Sequence, residues 1–121
     1  MKYAKTDKIL DRVRAICLAL PEAIEVEAWG HPTFRAGKKM FAGFGEIPDW
    51  GLALGLKVGF ERQEELLKDS SRFFPTPYAA HQGWVSVKLD AKTDWNEVKQ
   101  LVVEAYKQVA LNRMLKALND L

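Results

Sequence analysis

Cys17, His31, His81 and the pair Glu25 and Glu27 are the side chains with which this chain would do chemistry. A nucleophilic cysteine needs exposure and a neighbouring base. Cys17, the only cysteine, falls on an apolar helical stripe beside Ile16 and Leu20, so it reads as an inert core thiol. A lone cysteine leaves no internal disulfide and fits a reducing cytoplasm. Zinc needs three or four ligands at workable spacing, and His31 and His81, with no CxxC or HxxxH around them, do not supply them. Glu25 and Glu27 share one face of a strand, where two carboxylates can serve acid–base chemistry. The plainer account is a solvated face, paired across the sheet with Lys57 or Lys88. An enzyme centred on His81, Tyr78 and Glu25 or Glu27 is the one catalytic reading left. Gly43-Phe44-Gly45 lacks the helix start that would receive a phosphate, and the GxSxG and Walker A patterns are absent. The chain is therefore expected to have no catalytic site, no metal and no cofactor.

Binding chemistry is better represented. Between Ala28 and Gly45 stand Arg35, Lys38 and Lys39 with no acid, and between Ala105 and Asn119 stand Lys107, Arg113 and Lys116, again with no acid. A net charge of +2 thus conceals two locally basic segments. Each alone reads as solvated surface charge. The first, however, lies on a hairpin whose tip, Gly37-Lys38-Lys39, would project like a wing and hold phosphates. Aromatic side chains crowd RFFPTPYAAHQGWVSVKLD, from Arg72 to Asp90. Its prolines restrict the loop to turn and extended geometry. The front half reads as a lid on the core, with Phe73 and Phe74 buried. The back half delivers His81 and Trp84 to the other side of the sheet, where Trp84 and Trp29 are either partly covered by this loop or placed to stack on a base or a peptide.

The elements that must position these residues follow from periodicity. Ile9, Leu10, Val13, Ile16, Cys17 and Leu20 recur by three and four, the stripe of a helix from Thr6 to Leu20, capped by Thr6 or Asp7 and stopped by Pro21. IEVEAWG alternates as a strand, with Ile24, Val26 and Ala28 taken as its inner face. TFRAGKKMFAGF reads as two short strands around a turn at Gly37-Lys38, and EIPDWG as a loop. LALGLKV sets Leu52, Leu54, Leu56 and Val58 on one face against Ala53, Gly55 and Lys57 on the other. Glu61 to Lys68 reads as a short helix. WVSVKLD points Val85, Val87 and Leu89 inward and Trp84, Ser86 and Lys88 outward. A last helix starts at Thr93 or Asp94 and carries Trp95, Val98, Leu101, Val102, Ala105, Tyr106 and Val109, with Met114, Leu115 and Leu118 extending the stripe. The order is helix, about four strands, short helix, one or two strands, long helix. It specifies an α+β domain spanning residues 1–121, an antiparallel sheet whose leucine and valine face is covered by the two long helices.

LPEAIE, AWG-HPTFR from Ala28 to Arg35, K-MFAGF from Lys39 to Phe44, LALGLKV, RFFPTPY with HQGWVSVKLD, and DW-NEVKQLVVEAYKQVA from Asp94 to Ala110 together resemble the MmcQ/YjbR family of small bacterial proteins. The likeness spans about residues 10 to 112. It implies an α-β(3)-α-β(2)-α double-wing domain and a DNA-binding label, with no catalytic mechanism. Trp29, Arg35, Lys57, Tyr78, His81 and Trp84 match its recurrent polar and aromatic pattern. Where relatives break after Tyr-x-x-Val-Ala, this chain reads Leu111-Asn112-Arg113, so its helix is expected to run on towards Leu121. The leading expectation is a DNA-binding protein with Arg35, Lys38 and Lys39 on phosphates, Lys57 and Lys88 adding charge, and Trp84 and His81 nearby. The alternative is a protein- or small-ligand-binding module on the sheet face away from the helices, where Ala53, Gly55 and Ser86 leave room beside Trp84. No apolar run approaches the roughly 20 residues of a membrane span and the N-terminus is no secretory signal. A cytoplasmic monomer or weak homodimer is expected.

Overall fold

A computed structural model describes residues 7–121. The first helix, α1 (Asp7–Leu18), buries Leu10, Val13 and Cys17 as its spacing requires. The cap expected at Thr6 or Asp7 falls outside the residues and side chains described. Four strands follow, β1 (Ile24–Ala28), β2 (His31–Ala36), β3 (Lys39–Ile47) and β4 (Gly51–Lys57), then a short helix α2 (Phe60–Leu66). Next come β5 (Phe73–Pro75), a single 3-10 turn (Ala80–Gln82), β6 (Trp84–Lys88), α3 (Trp95–Val109) and α4 (Asn112–Asn119). The six strands form one sheet in the order β1-β2-β3-β4-β6-β5, antiparallel at every pairing. The α+β class and the helix-covered sheet are as the patterning specifies. Four strands precede α2, where the resemblance implies three.

Both long helices lie on one side. Val98, Leu101, Val102, Ala105 and Tyr106 of α3 meet Phe34, Phe44, Leu54, Leu56, Val85 and Val87 in one buried core. A β-bulge between β2 and β3 changes the register after Phe34↔Ala42, so that Arg35 pairs with Met40 and Phe41 is left over. The extra residue allows Phe41 to be buried next to buried Ala42. Phe41 meets Tyr106 edge to face, with ring centroids 5.6 Å apart. The Tyr106 hydroxyl donates to the Pro21 carbonyl at 2.7 Å, tying α3 to the end of α1, and burial raises its pKa above the usual value. Asp94 caps α3 by accepting from the Asn96 and Glu97 amides. Among the described residues, no helix is long and apolar enough to cross a membrane.

The structure corrects four expectations. β1 alternates as expected but in the opposite phase. Glu25 pairs with Phe34 and so points to the helix side, where Arg14 of α1 donates to both its oxygens at 2.8 and 2.9 Å. Arg14, on the charged flank of α1, thus reaches this edge strand. Ile24, Val26 and Ala28 therefore turn to the open face, and Ile24 is 55 % exposed; Lys57 and Lys88 are not the partners of Glu25. Phe74 pairs with Ser86, away from the core, and rests on Trp50 at 5.3 Å between ring centroids. Only Phe73 enters the core. The last helix does not run on: Ala110 adopts extended geometry, and α4 begins afresh, burying Met114. EIPDWG is less of a loop than expected, because β3 continues through Ile47 and the turn is confined to Pro48-Asp49-Trp50.

Candidate ligand cleft on the open sheet face

Partners across an antiparallel sheet point to the same side, so register alone maps the face that the helices leave uncovered. One row crosses all six strands: Val26, Thr33, Gly43, Gly55, Ser86, Phe74. The row beside it brings Gly45 against Ala53 and Ala53 against Lys88. The middle strands thus present a floor of glycine, alanine and serine. A β-carbon built on Gly43 would meet nothing closer than Thr33 Cγ2 at 3.9 Å and Met40 Sδ at 4.0 Å. Above this floor is a concavity of about 860 Å³.

Its walls are aromatic and apolar. Trp29 and Gly30 form the two-residue turn between β1 and β2, at φ 53 and 77. That is a type I′ hairpin, whose first position ordinarily takes Asn, Asp or Gly. Thr76-Pro77-Tyr78-Ala79 is a β-turn closed by the Ala79 amide on the Thr76 carbonyl at 3.2 Å. Tyr78 sits at its third position with φ 64, the place where a type II turn takes Gly. Trp29 is 84 % and Tyr78 99 % exposed, and both line the cleft. Thr76 reaches over Gly55, where a β-carbon would lie 3.4 Å from its Cγ2, and hydrogen-bonds Ser86 through the two hydroxyls at 2.9 Å. The His31 ring lies over Gly45, with Nδ1 3.5 Å from where a β-carbon would be. Gln63 of α2 donates to the carbonyls of Ala80 and Trp84 at 2.7 and 2.8 Å, fixing the loop against β6.

The expected site residues separate into groups. Trp29, Tyr78 and Trp84 come together at the cleft. Trp84 is on the open face as expected but only 8 % exposed, so it is a wall and not a free stacking platform. His81 is exposed on the 3-10 turn and is not among the cleft's lining residues. Arg35, Lys57 and Lys88 alternate onto the same face outside the lining. Arg35 is half-buried, its Nε without a hydrogen-bond partner among the described residues, and Lys88 Nζ lies 5.8 Å from the Trp50 ring. Lys38 and Lys39 are exposed, and neither forms an ion pair among the described residues. Their hairpin is no projecting wing: a β-carbon on Gly37 would lie 3.1 Å from Leu111 Cγ and 3.2 Å from the Val109 carbonyl. The tip rests on the break between α3 and α4, so the two acid-free segments adjoin. Arg113 in the second is taken up by Glu22, with both contacts at 2.8 Å.

The catalytic constellation does not assemble. Glu25 and Glu27 lie on the helix side of β1, four strand spacings from β6, which is about 19 Å, whereas His81 lies on the 3-10 turn before β6. Cys17 is buried, and burial, with the Glu25 charge adding, raises its pKa to about 12, so the thiol stays protonated at neutral pH. Among the described residues, no three His, Cys, Asp or Glu side chains converge to hold a metal. Residues that sequence reasoning did not place at the cleft are His31, Met40, Gly43, Gly45 and Thr76. The signal was present for two of them, because glycines spaced by two in a strand mark close approach or a missing side chain on one face.

The chain is similar to a solved structure, the crystal structure of Deinococcus radiodurans protein DR2400, described as a DUF419 domain. The TM-score is 0.73 at 26% sequence identity, covering 91% of this chain and 87% of that one. No curated protein matches. The YjbR family model matches residues 18–108, from the end of α1 to the last turn of α3 and so through every strand of the cleft: the chain belongs to the YjbR family.

Proposed function

We propose that this protein is a non-enzymatic binding module whose ligand is a small molecule held in the cleft on the open face of the sheet. The observation that carries the reading is the glycine, alanine and serine floor under a concavity of about 860 Å³. Small-molecule sites are concave, mostly apolar and of roughly 300–1,000 Å³, with a few polar groups that orient the ligand. Thr76, Ser86, His31 and Gln82 supply the polar groups of this cleft. Gly43→Leu is the test variant, because the space above Gly43 is open. A fragment panel screened by isothermal calorimetry is expected to give ligands that wild type binds and Gly43→Leu does not. Ligands bound equally by both proteins count against the cleft.

A second reading is supported by the exposed Lys38 and Lys39, without an ion pair among the described residues, beside the junction of α3 and α4. Two lysines on phosphates give weak, salt-sensitive DNA binding, with log K falling against log salt at a slope of about −1.8. A mobility-shift titration at low salt is expected to lose its shift in Lys38→Ala/Lys39→Ala. An unchanged shift in that double variant ends this reading and leaves the cleft untouched.

A further inference from the structure

Trp29 and Tyr78 share an unusual combination of properties. Each occupies a turn position that ordinarily takes Gly, Asn or Asp, at φ 53 and 64. Holding a non-glycine residue there is unfavourable. Neither ring recovers that cost by burial, being 84 % and 99 % exposed. Nothing in folding calls for an aromatic ring at either place, and Gly would serve both turns better. Strain concentrated at exposed rings belongs to function more readily than to stability. The two turns lie on different sides of one cleft: Trp29 comes from the β1–β2 hairpin and Tyr78 from the loop that follows β5 at the opposite sheet edge.

We infer that Trp29 and Tyr78 are the two lips of the cleft and select a flat, aromatic, non-anionic small molecule, which lies on the glycine floor between them. This rests on the cleft being the ligand site. Flatness follows from the floor: at Gly43 the backbone carries no side chain and the space above it is open, so a planar ring can lie directly on the peptide surface there. Aromatic character follows from the lips, since indole and phenol rings favour ring partners beyond their area of contact. The charge preference follows from the lining. Among the described residues it contains no Lys or Arg, and Glu46 is its one carboxylate. An anion would be desolvated there with no lysine or arginine in the lining to pair with it.

Three probes of one carbon skeleton separate these terms: 2-naphthol, decahydro-2-naphthol and naphthalene-2-sulfonate, titrated calorimetrically. Wild type is expected to bind 2-naphthol, and to bind the sulfonate about tenfold or more weakly. Trp29→Gly and Tyr78→Gly, both at exposed turns where Gly suits the backbone, should each weaken 2-naphthol about two- to tenfold and weaken decahydro-2-naphthol by less. Wild-type affinity for 2-naphthol in both variants, or equal affinity of wild type for the flat and the saturated probe, overturns the inference about the lips. If Gly43→Leu still abolishes binding in that case, the cleft itself survives. Undiminished binding to Gly43→Leu removes the cleft as the site and this inference with it.

Discussion

Two neighbouring rows of the same sheet can be set side by side. On the helix-covered face the row runs Glu25, Phe34, Ala42, Leu56, Val85; on the open face the next row runs Val26, Thr33, Gly43, Gly55, Ser86. The strands, the hydrogen-bond ladder and the pairing are shared, and only the side chains differ. On the covered face, Phe34, Ala42, Leu56 and Val85 are entirely buried under α3 and α1. On the open face the middle strands withhold side chains and leave a cleft ringed by exposed aromatics. The difference separates two uses of one sheet: the covered row contributes the core, and the open row contributes space.

The largest effect that sharpens this contrast is expected from Leu56→Ala. Removing a fully buried leucine costs about 2–5 kcal/mol, read as a lowered denaturation midpoint. Gly43→Ala, one strand away in the adjacent row, is expected to do the reverse. Its β-carbon meets nothing within 3.9 Å, and alanine in a strand interior is favoured over glycine by about 0.5–1 kcal/mol. A loss of stability in Gly43→Ala would mean that the open row is packed and the contrast is false. Next in size are Trp29→Gly and Tyr78→Gly. Relief of left-handed backbone, about 1–2 kcal/mol, is opposed by the added chain entropy of glycine, about 0.5–1 kcal/mol. The net expectation is unchanged or slightly raised thermal stability, and a marked fall in either variant would make that ring a structural element.

Much of the covered face was legible from the residues alone, because burial imposes periodicity. The stripes of α1 and α3 and the alternation of β4 and β6 all follow from spacing by three and four or by two. Periodicity gives no phase for an edge strand, however. Ile24, Val26 and Ala28 alternate correctly, yet the sign of the face was decided by Arg14, on another element, reaching Glu25. It is equally blind to a break that preserves the stripe: Met114 and Leu118 continue the apolar pattern of α3 across the extended Ala110. Phe74 was misplaced because a three-residue strand is too short to show alternation, and it follows Phe73, which does enter the core. As for the cleft, Ala53, Gly55 and Ser86 could be assigned to the open face from their own strands. Their meeting with Gly43, Gly45 and Thr33 is a property of register across four strands, which no local pattern contains. Left-handed geometry at Trp29 and Tyr78 was hidden for a related reason, since neither residue type announces it.

The smallest effect concerns the exposed rim. Arg113 holds the Glu22 carboxyl below its usual pKa of 4.5, chiefly through their hydrogen bonds. A carboxylate depressed in the folded state contributes stability that is present above the unfolded pKa and is lost as pH falls through the folded value. Wild type and Arg113→Ala are therefore expected to differ slightly near neutral pH and to converge under acid, as followed by denaturation midpoints across that range. The pair is solvent-exposed and screened, so this difference should be smaller than the change at Leu56 or Gly43. A gap that persists in acid would show that Arg113 acts through packing.

The amide spectrum of the isotopically labelled protein, recorded as 2-naphthol is added, tests most directly whether the uncovered face is where this protein binds. Shifts are expected at Gly43, Gly45, Gly55 and Ser86 and at the turns carrying Trp29 and Tyr78, with the amides of Lys38 and Lys39 unmoved. Perturbations gathered at Lys38, Lys39 and Leu111 instead, or scattered without relation to the glycine floor, would contradict the account.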